Sequence, residues 1–359
     1  MINLKNPNTK TYLILTLFTA IDAALRLYQI GFQCLWTEEQ YTLQISQLPV
    51  VELIQTSLTL DINPPLFYIL SHFSLVLSGF GDGAIRYPSV IAGILAIPAI
   101  YYLGKTVKNE LTGLICAGLT AILFPLIYYS QFGRAYALEF LFFVLLLIIF
   151  VQIKRGDTHS DKYLIFSILA ALNLWTHLLS VIPVSLLILD LILTKKGLKS
   201  VGSALVTGIL CIPLIQIPLT LLQSRLTTQG QTWGMKLNEI LIITPTELLG
   251  SLFPVLIPLA GLGLWQERKN KIVLKLVVIS IITVIAGLVL SFYTPFFPRY
   301  YLEVSAVLIL LVGIACTNLI QPIKSENIKL LLIVWVTILF LVLSWNQIWA
   351  HFTVQRYVC

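Results

Sequence analysis

At 359 residues the chain is 58% hydrophobic and only 11% charged, with a mean hydropathy of +0.91. A water-soluble domain carries about 25% charged residues, so this chain has too little polar surface to be covered by water. Its net charge of +7 does not point to nucleic acid, because the way the basic residues are distributed explains it better.

Apolar runs of about 20 residues, each able to cross a hydrocarbon core about 30 Å thick, recur from Thr11 almost to the C-terminus. They are read as helices. Barrel strands alternate apolar and polar residues, whereas Phe140–Val151 is apolar on every face. Eleven spans are expected, at 11–31, 84–104, 111–130, 136–153, 162–177, 178–194, 200–222, 241–265, 271–292, 299–319 and 328–350. The first is too long and lacks the small-residue cleavage site of a signal peptide, so it reads as an anchored helix. The expected architecture is all-α: one polytopic membrane domain over 1–359. It has a long first extracytoplasmic loop at 32–83, a further outer loop at 223–240, and no soluble domain at the C-terminus.

The long first loop holds one more apolar stretch, Leu66–Phe80, of about 15 residues, which either spans or lies in the interface. The lysines decide. If this stretch does not span, Lys5 and Lys10, Lys105 and Lys108, Lys154–Lys162, Lys195–Lys199, Arg268–Lys275, and Lys324 and Lys329 all share one side. That side then carries sixteen of the 23 basic residues and is read as cytoplasmic, with the N-terminus in. The seven left over (Arg26, Arg86, Arg134, Arg225, Lys236, Arg299 and Arg356) lie toward the outer ends of the spans, and six of them are arginine. Orientation alone does not select arginine. Bidentate recognition of phosphate does, and it points to a phosphate-bearing ligand at the outer face.

Between Arg26 and Arg86 there is no lysine or arginine, yet Glu38, Glu39, Glu52, Asp61 and Asp82 all lie there. Trp36 and Tyr41 suit the headgroup level. Gln44–Leu60 patterns as a helix along the membrane, and Asn63-Pro64-Pro65 breaks it before Leu66. Glu52 and Asp82 read as solvated. Glu38 and Asp61, set among aromatics and prolines, read as functional carboxylates, and such a group can serve as a general base. Glu38 and Glu39 are adjacent, face different ways and are expected to do different things. The five cysteines show no C-x-x-C spacing, so neither a disulfide framework nor a zinc site is expected.

Four segments in order are Trp36-Thr37-Glu38-Glu39, Asp61-Ile62-Asn63-Pro64-Pro65-Leu66-Phe67-Tyr68, Ala84-Ile85-Arg86-Tyr87-Pro88-Ser89 and Tyr129-Ser130-Gln131-Phe132-Gly133-Arg134-Ala135-Tyr136. In order, spacing and side of the membrane this set resembles the GT-C superfamily of membrane glycosyltransferases. The likeness is to the branch with the protein O-mannosyltransferases and the aminoarabinose transferase of lipid A (glycosyltransferase family 39-like). Thr176-His177 and Pro298-Arg299-Tyr300-Tyr301 resemble further outer segments of that group. Its catalytic aspartate falls on Glu38, its second acidic position on Phe132, and its histidine before the double proline on Asn63.

The resemblance implies a GT-C bundle and transfer of a sugar, with inversion, from a polyprenyl-phosphate-sugar donor to a lipid, glycan or protein acceptor at the extracytoplasmic face. Glu38 would be the general base. Glu39, Asp61, Asn63 and His177 would orient acceptor or donor, and Arg86, Arg134, Arg299 and Tyr300 would hold the donor phosphate. Membrane lipids are the other expected partner. No cofactor is required by this reading and no metal ligands are assigned, although a divalent cation is left open. A nucleotide-sugar donor is disfavoured, since no soluble domain with a G-x-G-x-x-G loop is present. Two other readings stay open: a catalytically inactive subunit that binds polyprenyl phosphate, and a transporter or flippase of lipid-linked glycans.

Overall fold

The computed structural model describes residues 7–61, 63–79, 82–195, 197–220, 237–291 and 297–354. The described residues are 86% helical, with no strand among them. Helices α1 (Pro7–Leu27), α5 (Tyr87–Val107), α6 (Glu110–Ile122), α8 (Tyr136–Lys154) and α16 (Val304–Ile320) form the centre of a multi-pass membrane bundle. Around them stand α9 (Ser160–Thr176), α10 (Val181–Lys195), α11 (Leu198–Leu210), α12 (Ile212–Thr220), α13 (Leu237–Leu249), α14 (Phe253–Gln266), α15 (Lys271–Ser291) and α17 (Glu326–Thr353). α8 and α16 are apolar all round and almost wholly buried, as helices at the core of a bundle must be. α15 and α17 instead leave most of their apolar surface uncovered, which suits helices against lipid.

Six helices are long and apolar enough to cross a membrane, and eight if each bent pair is counted as one span. Eleven crossings is therefore more than length and composition bear out. Of the others, α16 is apolar but only 17 residues long, and α1 carries the buried pair Asp22–Arg26. The bend of 61° between α6 and α7 (Phe124–Ser130) begins at Leu123, whose backbone is extended, and Pro125 offers no N–H to continue the ladder. A Cβ on Gly93 of α5 would fall on Ser130 Oγ and on Arg26 Nε, so glycine is what lets α1, α5 and α7 meet here.

The first loop folds against one end of the bundle as α2 (Thr37–Ser46), α3 (Val50–Thr56), a π-helical turn at Ser57–Asp61 and α4 (Leu66–Ser78). The 13 residues of α4 rise about 20 Å, well short of the membrane core, and the helix stops at Gly79 with φ 79°. Its length alone keeps it out of the count of membrane-crossing helices. The expected loop at 223–240 lies outside the described residues up to Leu237, where α13 begins.

One expectation is corrected: Cys34, in the segment leading into α2, is disulfide-bonded. Scattered spacing along the chain does not measure which cysteines approach once the loop folds back. Cys116, Cys211 and Cys316 are free thiols among the helices.

Candidate active site

α2 is built so that its two glutamates part company. Glu39, in the first turn, accepts a hydrogen bond from the backbone N–H of Trp36 at 3.1 Å and so closes the helix N-terminus. It also accepts from Gly133 N at 2.7 Å and from both Nε and Nη2 of Arg86, at 2.8 and 2.9 Å. Arg86 spends its remaining donors on the carbonyls of Ile30 and Cys34. Both side chains are sealed from solvent. Glu39 and Arg86 therefore tie the first loop to α5 and to the turn before α8, and neither lines either of the two cavities described below.

Glu38, one residue earlier, points the other way, into a cavity of about 310 Å³. Its Oε1 is paired with Nη2 of Arg299, whereas its Oε2 is buried with no hydrogen-bond partner among the described residues. Arg299 comes from the 3-10 turn Pro298–Tyr301. It donates from Nε to the Tyr136 hydroxyl at 3.1 Å and lies 4.1 Å from the centre of the Phe297 ring. Trp36, Tyr128, Tyr129 and Phe132 supply aromatic walls, and Gln347 of α17 reaches the same space. Phe132 stacks between Tyr128 and Tyr136.

Across this cavity stands Glu247 of α13, which accepts a short hydrogen bond from the Tyr129 hydroxyl. The sequence reading missed it. The available signal was a lone carboxylate inside the apolar stretch 241–265, and intramembrane carboxylates mark functional positions. At Phe132, where the related pattern has an acid, this chain has a ring, and the second carboxylate of the cavity comes from α13 instead.

A smaller cavity of about 40 Å³ lies on the other side of Tyr136 and Tyr300, lined also by Asn63, Tyr68, Arg134 and His177. Arg134 Nη1 donates to Tyr68 Oη at 3.1 Å, to Thr42 Oγ1 at 3.3 Å and to the Glu38 carbonyl at 3.4 Å, all neutral acceptors. No carboxylate stands within ion-pair distance of it among the described residues. Burial works against its charge, but the oxygens of Tyr68 and Tyr136 and the carboxylates of Asp61 and Glu38 raise its pKa above the usual arginine range. Asp61 reaches Arg134 only through Tyr68. Its Oδ2 accepts from the Tyr68 hydroxyl and, at 2.9 Å, from Asn63 Nδ2. Burial holds Tyr68 and Tyr300 above the ordinary phenol range, so both remain O–H donors. His177, at the break between α9 and the turn Leu178–Ser180, presents its ring between Tyr136 and Tyr300.

The structure thus brings Glu38, Arg299, Arg134, Tyr300, Asn63 and His177 around two adjoining cavities, with Asp61 one hydrogen bond behind. Arg86 and Glu39 are not among them. Of the outer arginines, Arg26 is also consumed, paired with Asp22 and donating to Ser130 Oγ at 2.9 Å. Arg225, Lys236 and Arg356 lie outside the described residues. Among the described residues no cluster of three or more His, Cys, Asp or Glu side chains is arranged to hold a metal ion.

No protein-family model and no curated protein matches the sequence. Solved structures do. ArnT from Cupriavidus metallidurans in its apo state superposes with a TM-score of 0.61 at 12% identity, over 87% of this chain and 60% of that one. The oligosaccharyltransferase of Archaeoglobus fulgidus in its apo form gives 0.63 at 12% identity, over 91% of this chain and 54% of that one. ArnT bound to undecaprenyl phosphate gives 0.55 at 13% identity, over 85% and 59%. The chain has the fold of the GT-C membrane glycosyltransferases, and it spans a little over half the length of these structures.

Proposed function

We propose that the chain is a membrane glycosyltransferase that moves a sugar, with inversion, from a polyprenyl-phosphate-sugar donor to an acceptor at the extracytoplasmic face. The observation that carries this is the separation of charge across the two cavities. Arg134 brings a half-buried guanidinium with no carboxylate partner to the smaller one, and the larger holds two carboxylates, Glu38 and Glu247, against one guanidinium, Arg299, which is paired with Glu38. The smaller cavity suits the donor phosphate, and the larger, walled by aromatics, suits the acceptor. Among the neighbours, the ArnT complex holds undecaprenyl phosphate and an archaeal oligosaccharyltransferase complex holds dolichol-phosphate.

In this reading the acceptor hydroxyl or amine gives its proton to the unpartnered Oε2 of Glu38. The nucleophile attacks the anomeric carbon in line, and the bond from that carbon to the phosphate oxygen breaks with its electron pair going to the phosphate. Arg134 stabilises the negative charge that builds there, and Arg299, which lines the larger cavity beside Glu38, adds its charge from that side. Tyr300 donates a hydrogen bond beside them, and Asn63 and Asp61 hold Tyr68 and through it Arg134. Glu247 positions the acceptor. Glu39 and Arg86 act earlier in the chain of causes, by holding α2 so that Glu38 faces the cavity.

The extracytoplasmic placement has two supports. The lysines favour the opposite face, and the disulfide at Cys34 lies in the loop that bears the site, where an oxidising compartment preserves it. The test is to incubate the purified protein with radiolabelled polyprenyl-phosphate sugars and lipid, glycan or peptide acceptors, comparing wild type with Glu38→Gln. Transfer that Glu38→Gln leaves intact would sink the base assignment, and donor binding without turnover would favour a non-catalytic subunit.

A further inference from the structure

Behind the smaller cavity lies a group of titratable side chains that the transfer step does not use. Glu139, in the first turn of α8, and Glu303, at the N-terminus of α16, are both sealed from solvent and face each other. Glu139 Oε1 accepts from Ser180 Oγ at 2.6 Å and stands 3.1 Å from Nδ1 of His177, an ionic contact rather than an aligned hydrogen bond. Glu139 Oε2 and both carboxyl oxygens of Glu303 are buried with no hydrogen-bond partner among the described residues. Neither carboxylate has an ion-pair partner there other than His177.

We infer that Glu139 and Glu303 hold His177 as a cationic second ligand for the donor phosphate, an inference that rests on the phosphate site proposed above. Two carboxyl groups closed off against each other do not both ionise, because like charges in a low dielectric repel strongly. The carboxylate in contact with the imidazole is that of Glu139, and Glu303 lies behind it. The Glu139 carboxylate meets the imidazole of His177 at 3.1 Å, and a buried carboxylate stabilises an imidazolium in this way. The second ring nitrogen then remains a charged donor on a ring that forms part of the cavity wall.

The other groups facing His177 are Arg134 across the cavity, which opposes a second positive charge, and the phenols Tyr68, Tyr136 and Tyr300, which are neutral. The carboxyl pair offsets Arg134, so that two cations sit in one small space until an anion arrives. A histidine that only filled the end of α9 would need no carboxylate sealed behind it. His177 is a binding residue in this arrangement, and Glu139 and Glu303 are positioning residues.

The test uses the full chain in lipid nanodiscs and two probes. One is undecaprenyl methyl phosphate, a diester that keeps one charge across the range used, and the other is undecaprenol, which has none. Histidine is the side chain that changes charge between about pH 5 and 8, so wild type should bind the diester more tightly at about pH 6 than at about pH 8, by about tenfold. The alcohol should bind equally at both. His177→Gln and Glu139→Gln should bind the diester with the weaker affinity at both pH values. His177→Lys, with a fixed charge, should restore the tighter one at both, which also shows that the site is folded.

A diester affinity in wild type that does not change with pH overturns the inference, as does a wild-type profile in His177→Gln. Failure of the phosphate site itself looks different. There the diester binds no better than the alcohol at either pH, and Arg134→Gln changes nothing.

Discussion

Arg86 and Glu39 form a two-pronged ion pair sealed from solvent, with Nε 2.8 Å from Oε1 and Nη2 2.9 Å from Oε2. The pair joins the start of α5 to α2, and the same carboxylate takes the Gly133 N–H, so one side chain ties down three segments of chain. Removing either partner leaves the other charge buried, which costs about 3–5 kcal/mol. Arg86→Gln and Glu39→Gln should therefore each lower the thermal unfolding temperature in detergent, and any loss of transfer should follow the loss of folded protein. An Arg86→Gln protein of full stability that fails to bind undecaprenyl phosphate would return Arg86 to the donor site.

Glu38 differs from its neighbour in having one oxygen to spare. Glu38→Gln removes the base but keeps the size of the side chain, and general-base catalysis is worth about 10²–10⁴ in rate. The expected result is a fall of that order in kcat for sugar transfer, with undecaprenyl phosphate affinity retained. Glu38→Asp shortens the reach by one methylene and should keep partial activity if the cavity is shaped for the longer acid.

Arg134 makes charge-assisted use of its guanidinium only when an anion arrives. Charged hydrogen bonds contribute about 1.5–3 kcal/mol, so Arg134→Gln should weaken undecaprenyl phosphate binding at least about tenfold. Arg134→Lys should recover only part of that, because a point charge lacks the planar fork. Equal affinity in the glutamine and arginine proteins, measured by direct titration, would count against the phosphate assignment.

Glu247 stands in the larger cavity and away from the smaller one. Glu247→Gln should raise KM for the acceptor and leave the affinity for undecaprenyl phosphate unchanged. If the donor affinity changes and the acceptor KM does not, the two cavities have been assigned the wrong way round.

Sidedness is tested without any substrate. Cysteine introduced at Lys195, at the end of α10, should react with a membrane-impermeant thiol reagent from the cytoplasmic side only. After mild reduction, Cys34 should react from the opposite side. Labelling of both from one side would refute the topology.

Much of this was legible in the sequence because it is local. An apolar run long enough to cross lipid, a proline pair that ends a helix, and lysines gathered at alternate loops are read within about 20 residues. The motif segments from Trp36 to Tyr136 are local too, and they led to the fold that the solved structures share. The short α4, outside the membrane count, came from the same arithmetic. The number of crossings was less legible, since α16 has only 17 residues, at the lower edge of a spanning length, the α6–α7 pair is bent, and hydropathy alone does not register a break at Leu123.

The sequence by itself determined that this is a helical membrane protein with arginines and carboxylates gathered near one face, because hydropathy and charge act through neighbouring residues. Only the tertiary structure decided which of those charges remain available. Glu38 meets Arg299 across 261 residues and Tyr129 meets Glu247 across 118. Arg26 and Arg86 were spent on buried carboxylates, leaving Arg134 without one, and Glu39 was turned inward while Glu38 was turned toward a cavity. Such choices depend on desolvation, which favours the pairing of buried charges in space, and the chain's order does not record which charges pair.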